Sequence, residues 1–313
     1  MEGELPGSAV LRTAFALKRA YYNLWFLDEK IRINREMLAL LADLERSARA
    51  QNEVGKVTLQ DVYRAQIEQD RLSTEIANFE DSRNPLRAQF KAALGLTRDQ
   101  ADPPFPARIE STPLDLSSDG LLEIAFARNP RLKAMEAEVR MAQASLELAY
   151  KAGVPDFTLG VMADAKAAPV MVRPQASMTL PIWRDKIAAE IAAAQAVKRA
   201  VEARLTNEQI TLTVDFVEKT YSYREITRNL ALLQKQLISK ARQSLEIARA
   251  GYWSGRIDFF NLIDAERTLL NFQLSEIEGR TRREVVLAEI SLLIQGVPPA
   301  SAPLLPATAM EKK

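Results

Sequence analysis

The 313 residues contain no histidine and no cysteine, so the side chains left to do chemistry are carboxylates, amines, hydroxyls and thioethers. That removes thiolate and imidazole metal sites, cysteine nucleophiles, disulfides and every Ser-His-Asp arrangement. Paired carboxylates could serve as general acid and base, but Glu136 and Glu138 stand two apart in a helical stretch and point to different faces. Met162, Met171 and Met178 fall in one short segment and could handle a soft metal. With no histidine or cysteine beside them they read as apolar filler. No catalytic residue, cofactor site or metal site is expected. Lys plus Arg number 42 against 41 for Asp plus Glu, so no global field draws nucleic acid or anionic lipid, and any partner must be recognised locally.

The elements that would carry binding residues are long helices. A composition of 47% apolar and 27% charged residues, with 7% aromatics and 11 glycines, suits helices rather than a sandwich or an α/β enzyme. From Ser8 onward, Leu17, Ala20, Leu24, Leu27, Ile31, Asn34, Leu38, Leu41, Glu45 and Ala48 alternate spacings of three and four, a heptad-like seam. Val54-Gly55-Lys56-Val57-Thr58 interrupts it, with Gly55 at the turn and Thr58 as N-cap. A second helix is expected from about 59 to Gly95, carrying a stripe of Leu72, Ile76, Phe79, Leu86, Phe90 and Ala93. Asn84-Pro85 should kink or break it. Residues 97–117 hold Pro103, Pro104, Pro106 and Pro113 and read as a linker.

Ser118 or Asp119 can cap a third helix, 121–152, kinked near its start by Asn129-Pro130 and stopped by Gly153-Val154-Pro155. The period then changes to two. Phe157, Leu159 and Val161 alternate with Thr158, Gly160 and Met162; after a turn-like stretch with Pro169, Arg173 and Pro174, Ala176, Met178 and Leu180 alternate with Gln175, Ser177 and Thr179. These are two strands, each with one apolar and one polar face. Composition alone favours a surface hairpin packed on helices over strands of a membrane barrel. A helix from about 186 to 250 follows, roughly 100 Å long at about 1.5 Å per residue, too long for a globule. The turn Tyr252-Trp253-Ser254-Gly255-Arg256-Ile257-Asp258 leads to a return helix, 259–295, and a tail.

Shifting the chain on itself by 200 residues aligns the two turns: Ala48-Arg49-Ala50 with Ala248-Arg249-Ala250, Gly55 with Gly255, Lys56 with Arg256, Val57 with Ile257 and Ala65 with Ala265. The chain is a twofold repeat of an antiparallel helical hairpin. The second copy has a leading helix and a strand pair that the first lacks, so the first copy is expected to miss roughly eighty residues at its start. Met1-Glu2-Gly3-Glu4-Leu5-Pro6-Gly7 lacks the basic and apolar regions of a secretory signal, and in a chain that begins inside its first repeat this weighs little for the cytoplasm.

In this order the residues resemble the TolC-like outer-membrane efflux protein family. The resemblance is carried by Asn129-Pro130-Arg131-Leu132 with the helix ending Ala152-Gly153-Val154-Pro155-Asp156, by Ser177-Met178-Thr179-Leu180-Pro181-Ile182-Trp183, by Val54-Gly55 and Ser254-Gly255, and by Asp61-Val62-Tyr63-Arg64-Ala65-Gln66. It implies a mainly α protein: long antiparallel helical hairpins forming an α-barrel protomer, with a short β-hairpin contributing to a trimeric outer-membrane β-barrel. The expected divisions are 1–96 (first hairpin), 97–117 (linker), 118–155 (leading helix), 156–183 (β-hairpin), 184–297 (second hairpin) and 298–313 (tail). One strand pair per chain gives a trimer six strands, below the minimum of about eight, and a second pair restores twelve.

The implied protein is no enzyme and needs no cofactor. It is a passive exit duct of a tripartite efflux or type I secretion system, in the outer membrane and periplasm of a Gram-negative bacterium. Its partners would be two further copies, a periplasmic adaptor and an inner-membrane pump, with no nucleic acid. The adaptor would meet two tips, Val54, Gly55, Lys56 and Val57, and Ser254, Gly255, Arg256 and Ile257. The family's periplasmic gate places an aromatic at Tyr252 and an acid at Asp264; Asn261 stands where another acid is common, Arg256 is displaced by one residue, and Asp258 is a further acidic candidate. The competing reading is a cytoplasmic coiled-coil tether, which has no reason to interrupt its helices with half-apolar strands.

Overall fold

The computed structural model describes residues 6–294, except 98, 105–107, 110, 112, 115–116 and 165–170. The expected tail and Pro169 therefore lie outside the described residues. The elements are α1 (Pro6–Glu53), α2 (Leu59–Ala93), α3 (Ser118–Arg128), α4 (Pro130–Lys151), β1 (Asp156–Asp164), β2 (Met171–Thr179), α5 (Arg184–Leu232), α6 (Ile238–Trp253) and α7 (Phe259–Leu293). The chain divides into two compact units, one of Met1–Leu122 with Phe216–Lys313, the other of Glu123–Asp215.

In the first unit the heptad seam of α1 is the core. Leu24, Leu27, Ile31, Leu41, Leu44 and Ala48 are buried, and α2 and α7 both pack on α1. Val62, Ala65, Leu72 and Ile76 of α2 and Phe259, Leu262, Ile263 and Leu269 of α7 join the same apolar cluster. Pro85, expected to kink or break α2, does not break it: the helix runs through from Leu59 to Ala93. Phe79 and Leu86 on either side of it pack into the core, and Arg83 donates to Asp28 of α1 at 2.6 and 2.9 Å, so packing holds the turn where one backbone hydrogen bond is lost. Gly95, at φ +71°, ends the helix as expected. The linker is fastened to the helices: the Tyr21 hydroxyl donates to Arg108 O at 3.0 Å, and Leu114 N–H donates to the Tyr223 hydroxyl at 3.0 Å.

The expected single helix over 186–250 contains a π-helical turn, Leu233–Leu237, between α5 and α6. Nothing in the composition of Leu-Gln-Lys-Gln-Leu marks it. Nearby, a Cβ on Gly279 of α7 would lie 2.9 Å from Leu230 Cδ2, so the glycine permits a close helix approach. Ser117, not Ser118 or Asp119, caps α3, its hydroxyl accepting from Gly120 N–H at 3.2 Å.

In the second unit the expected kink at Asn129-Pro130 is a full break. The Asn129 side chain accepts from Arg131 and Leu132 N–H at 2.9 and 3.3 Å and starts α4 afresh with Pro130 in the first turn. Arg131 pairs with Glu208 at 3.1 Å, and Gln195 donates to the Tyr150 hydroxyl at 2.8 Å, tying α4 to α5. β1 and β2 form an antiparallel ribbon in which Arg173 and Pro174 are strand residues, not turn residues. Both strands of a two-stranded ribbon are edges, where a residue without an N–H is tolerated.

Candidate functional site

The strand register sorts the side chains completely. Phe157, Leu159, Val161 and Ala163 share a face with their partners Met178, Ala176, Pro174 and Val172. The opposite face pairs Thr158 with Ser177, Gly160 with Gln175 and Met162 with Arg173. Met162 and Met178 thus lie on opposite faces, and among the described residues no three aspartates or glutamates are grouped to hold a metal ion. Among the described residues the apolar face is uncovered: Leu159 is 84% exposed, and Phe157, Val161, Val172 and Met178 are exposed too. Leu180, Ile182 and Trp183, between β2 and α5, are equally uncovered. An exposed apolar sheet face of this kind marks an interaction surface.

The two turns have one backbone. Gly55 and Gly255 both stand at φ +72°. Gly55 N–H donates to Asn52 O at 2.9 Å and Lys56 N–H to Gln51 O at 2.9 Å; Gly255 N–H donates to Tyr252 O at 3.0 Å and Arg256 N–H to Gly251 O at 2.9 Å. Each turn ends its helix with the same two bonds at equivalent positions, 200 residues apart. Val54, Lys56, Ser254 and Arg256 are exposed at the tips, while Val57 and Ile257 are half-buried beneath them. Arg256 Nε donates to Ser254 Oγ at 3.0 Å, and that hydroxyl donates to Gly251 O at 3.1 Å.

The expected gate residues occupy different environments. Tyr252 is buried, its ring edge-on to Phe259 at 5.4 Å. Burial, with the Asp61 charge acting in the same direction, pushes its phenol up to about 12. Asp258 is exposed and N-caps α7, accepting from Asn261 N–H at 2.9 Å. Asn261 and Asp264 are exposed and line a groove of about 310 Å³ together with Ile247, Ile257 and Thr268. Among the described residues neither Asp258 nor Asp264 forms an ion pair with a basic side chain. Sequence reasoning missed Glu266, a buried carboxylate two residues further along α7. Its signal is its spacing, four after Leu262 and three before Leu269, which puts it on the apolar seam.

The outer membrane efflux protein family model matches residues 121–294, which cover α4, the strand pair, both units' share of α5, the second tip and α7. The chain belongs to the outer membrane efflux protein family. Among curated relatives, the cobalt-zinc-cadmium resistance protein CzcC of Cupriavidus metallidurans is 22% identical over 260 residues, 82% of this chain. The chain spans 61% of the length of that relative. Among solved structures, a membrane protein from Pseudomonas aeruginosa matches with a TM-score of 0.77 at 19% identity, covering 92% of this chain and 67% of that one. The Neisseria gonorrhoeae MtrE outer membrane channel in its open state matches with a TM-score of 0.72 at 17% identity, covering 95% and 69%. At these identities the structures speak to the fold. This outer membrane efflux family chain therefore has the mainly helical fold of such channels, with long hairpins and, among the described residues, a two-stranded sheet.

Proposed function

We propose that the chain is the main part of a passive outer-membrane exit duct of an efflux or type I secretion system, working as a homotrimer. The observation that carries this is the ribbon with one wholly apolar, uncovered face and one polar face, set between very long helices. In a closed barrel the first face meets lipid and the second meets water, and closure pairs every strand edge. No helix among the described residues is long and apolar enough to cross a membrane, which leaves the strands as the spanning elements of this reading. The location that follows is the outer membrane and periplasm of a Gram-negative cell.

The tips at Val54, Gly55, Lys56 and Val57 and at Ser254, Gly255, Arg256 and Ile257 are the docking points for a periplasmic adaptor, beyond which stands the inner-membrane pump. Two identical backbone turns with small and apolar neighbours offer equivalent shallow surfaces, which supports one adaptor hairpin meeting either tip. Asn261 and Asp264, exposed in their groove, are the residues best placed to ring the inner end, with Asp258 at the head of the same helix and Tyr252 holding that helix from beneath. The duct does no chemistry of its own. Protein extracted from outer membranes and cross-linked should migrate as three copies and conduct ions across a planar bilayer; recovery as a soluble dimer without conductance contradicts the proposal.

A further inference from the structure

Glu266 is 2% exposed, and neither of its carboxylate oxygens has a hydrogen-bond partner among the described residues. It faces a cavity of about 240 Å³ walled by α1, α2 and α7. From α1 the cavity receives Asn34, 1% exposed, whose amide nitrogen donates to Lys30 O at 2.7 Å and whose Oδ1 has no partner among the described residues. From α2 it receives Glu68, Arg71 and Glu75, and from α7 Arg267, which is paired with Glu68. The Asn271 amide of α7 lines the cavity as well, yet neither it nor the two guanidinium groups hydrogen-bonds to Glu266 or to Asn34 Oδ1 among the described residues.

Charge decides what can satisfy them. Two guanidinium groups, Arg71 and Arg267, already balance the carboxylates of Glu68 and Glu75, so the cavity has no surplus to offer a cation unless Glu266 itself is ionised and desolvated. A proton meets both needs at once. A neutral carboxyl has no charge to strip of water, and its O–H adds a donor beside acceptor oxygens that no neighbouring N–H reaches among the described residues. We propose that Glu266 is a proton-operated latch: protonated, it seats α7 against α1 and α2; ionised, it charges the seam and loosens α7, the helix that follows the second tip.

The repeat supports a role specific to this position. The counterpart of Glu266 is Gln66, which cannot ionise and donates to Glu45 of α1 at 3.0 Å; the counterpart of Glu45 is Leu245, so the second hairpin has the acid but not its partner. Burial pushes the Glu266 carboxyl up to about 8, with Glu68 acting in the same direction and Arg267 opposing. The unfolded chain releases this proton near the ordinary value of 4.5 while the folded chain keeps it to about 8. Stability therefore falls as pH rises between those values and is level in this respect below and above them.

The experiment compares thermal unfolding of the full chain and its Glu266→Gln variant across pH 5 to 9. The contributions of all other groups cancel in the difference, so the wild-type midpoint should drop relative to the variant up to about pH 8 and then run parallel. Curves parallel throughout overturn the latch. Glu68→Gln keeps Glu266 and removes its acidic neighbour, so the levelling point should move to lower pH; an unmoved point overturns the proposal even where the Glu266→Gln chain fails to fold. Hydrogen exchange gives the structural readout. After correction for intrinsic rates, α7 amides around Glu266 should lose protection between pH 6 and 8.5 in the wild type and keep it in Glu266→Gln, whereas equal loss in both contradicts a latch.

Discussion

The two hairpin turns share a backbone to within a tenth of an ångström in their closing hydrogen bonds, yet they are held from below in different ways. The first is fastened by polar contacts: the Asn52 amide donates to Val57 O at 2.8 Å, and Arg49 pairs with Glu45 at 2.7 Å. The second is fastened by packing: Tyr252 takes the place of Asn52 and stacks edge-on to Phe259, Gly251 takes the place of Gln51 and admits Ile257, and Arg249 lies over the Trp253 ring at 5.0 Å. The glycine at +72° dictates the turn, and the neighbours are free to vary so long as they close the end of the helix pair. A conserved outline with a polar base in one copy and an apolar base in the other means that equivalent substitutions should have unequal effects.

The largest inequality is at the start of the return helices. Phe259 is 1% exposed and its counterpart Leu59 is 51% exposed, so Phe259→Ala should cost about 3–5 kcal/mol and Leu59→Ala less than about 0.5 in chemical denaturation. Next is the residue below the turn. A Cβ on Gly251 would lie 2.5 Å from Ile257 Cδ1 and 3.2 Å from its Cβ, so Gly251→Ala should destabilise by about 1–3 kcal/mol, whereas Gln51→Ala should be nearly silent. The turn glycines themselves are the control, since both occupy left-handed backbone with open space around them; Gly55→Ala and Gly255→Ala should each cost about 1–2 kcal/mol and by the same amount. A clear difference between these two would break the equivalence of the turns. The smallest effect is at the caps: Asp258→Ala loses a bond to Asn261 N–H and should cost about 1 kcal/mol, while Thr58, whose side chain makes no cap bond, should tolerate alanine.

Much of this was legible in the sequence because helical seams and glycine turns are local signals. The spacing of Leu24, Leu27, Ile31 and Leu41 identified the buried face of α1, the 200-residue shift found both turns, and the alternation from Phe157 found the ribbon. What failed did so where distant packing overrides a local rule. Pro85 does not end α2 because Phe79, Leu86 and Arg83 are anchored to α1. Pro174 carries turn propensity, yet it and Arg173 lie in β2 opposite Val161 and Met162. The environment of Glu266 is built by Asn34, Glu68 and Glu75, far along the chain, and only its place on the seam marks it, while nothing in Leu-Gln-Lys-Gln-Leu marks the π turn. Asp258, an acidic gate candidate in the sequence, is exposed, and its carboxylate caps α7, a local role the sequence reading did not assign.

In the proposed duct the ribbon faces lipid on one side and water on the other. Because the chain has no cysteine, single cysteines placed along β1 and β2 are unique probes. In outer membranes of cells producing the protein, cysteines at Leu159, Val161 and Ala176 should resist a charged, water-soluble thiol reagent, while those at Thr158, Gly160 and Gln175 should react. Uniform reactivity along both strands, or the reverse alternation, would contradict the account.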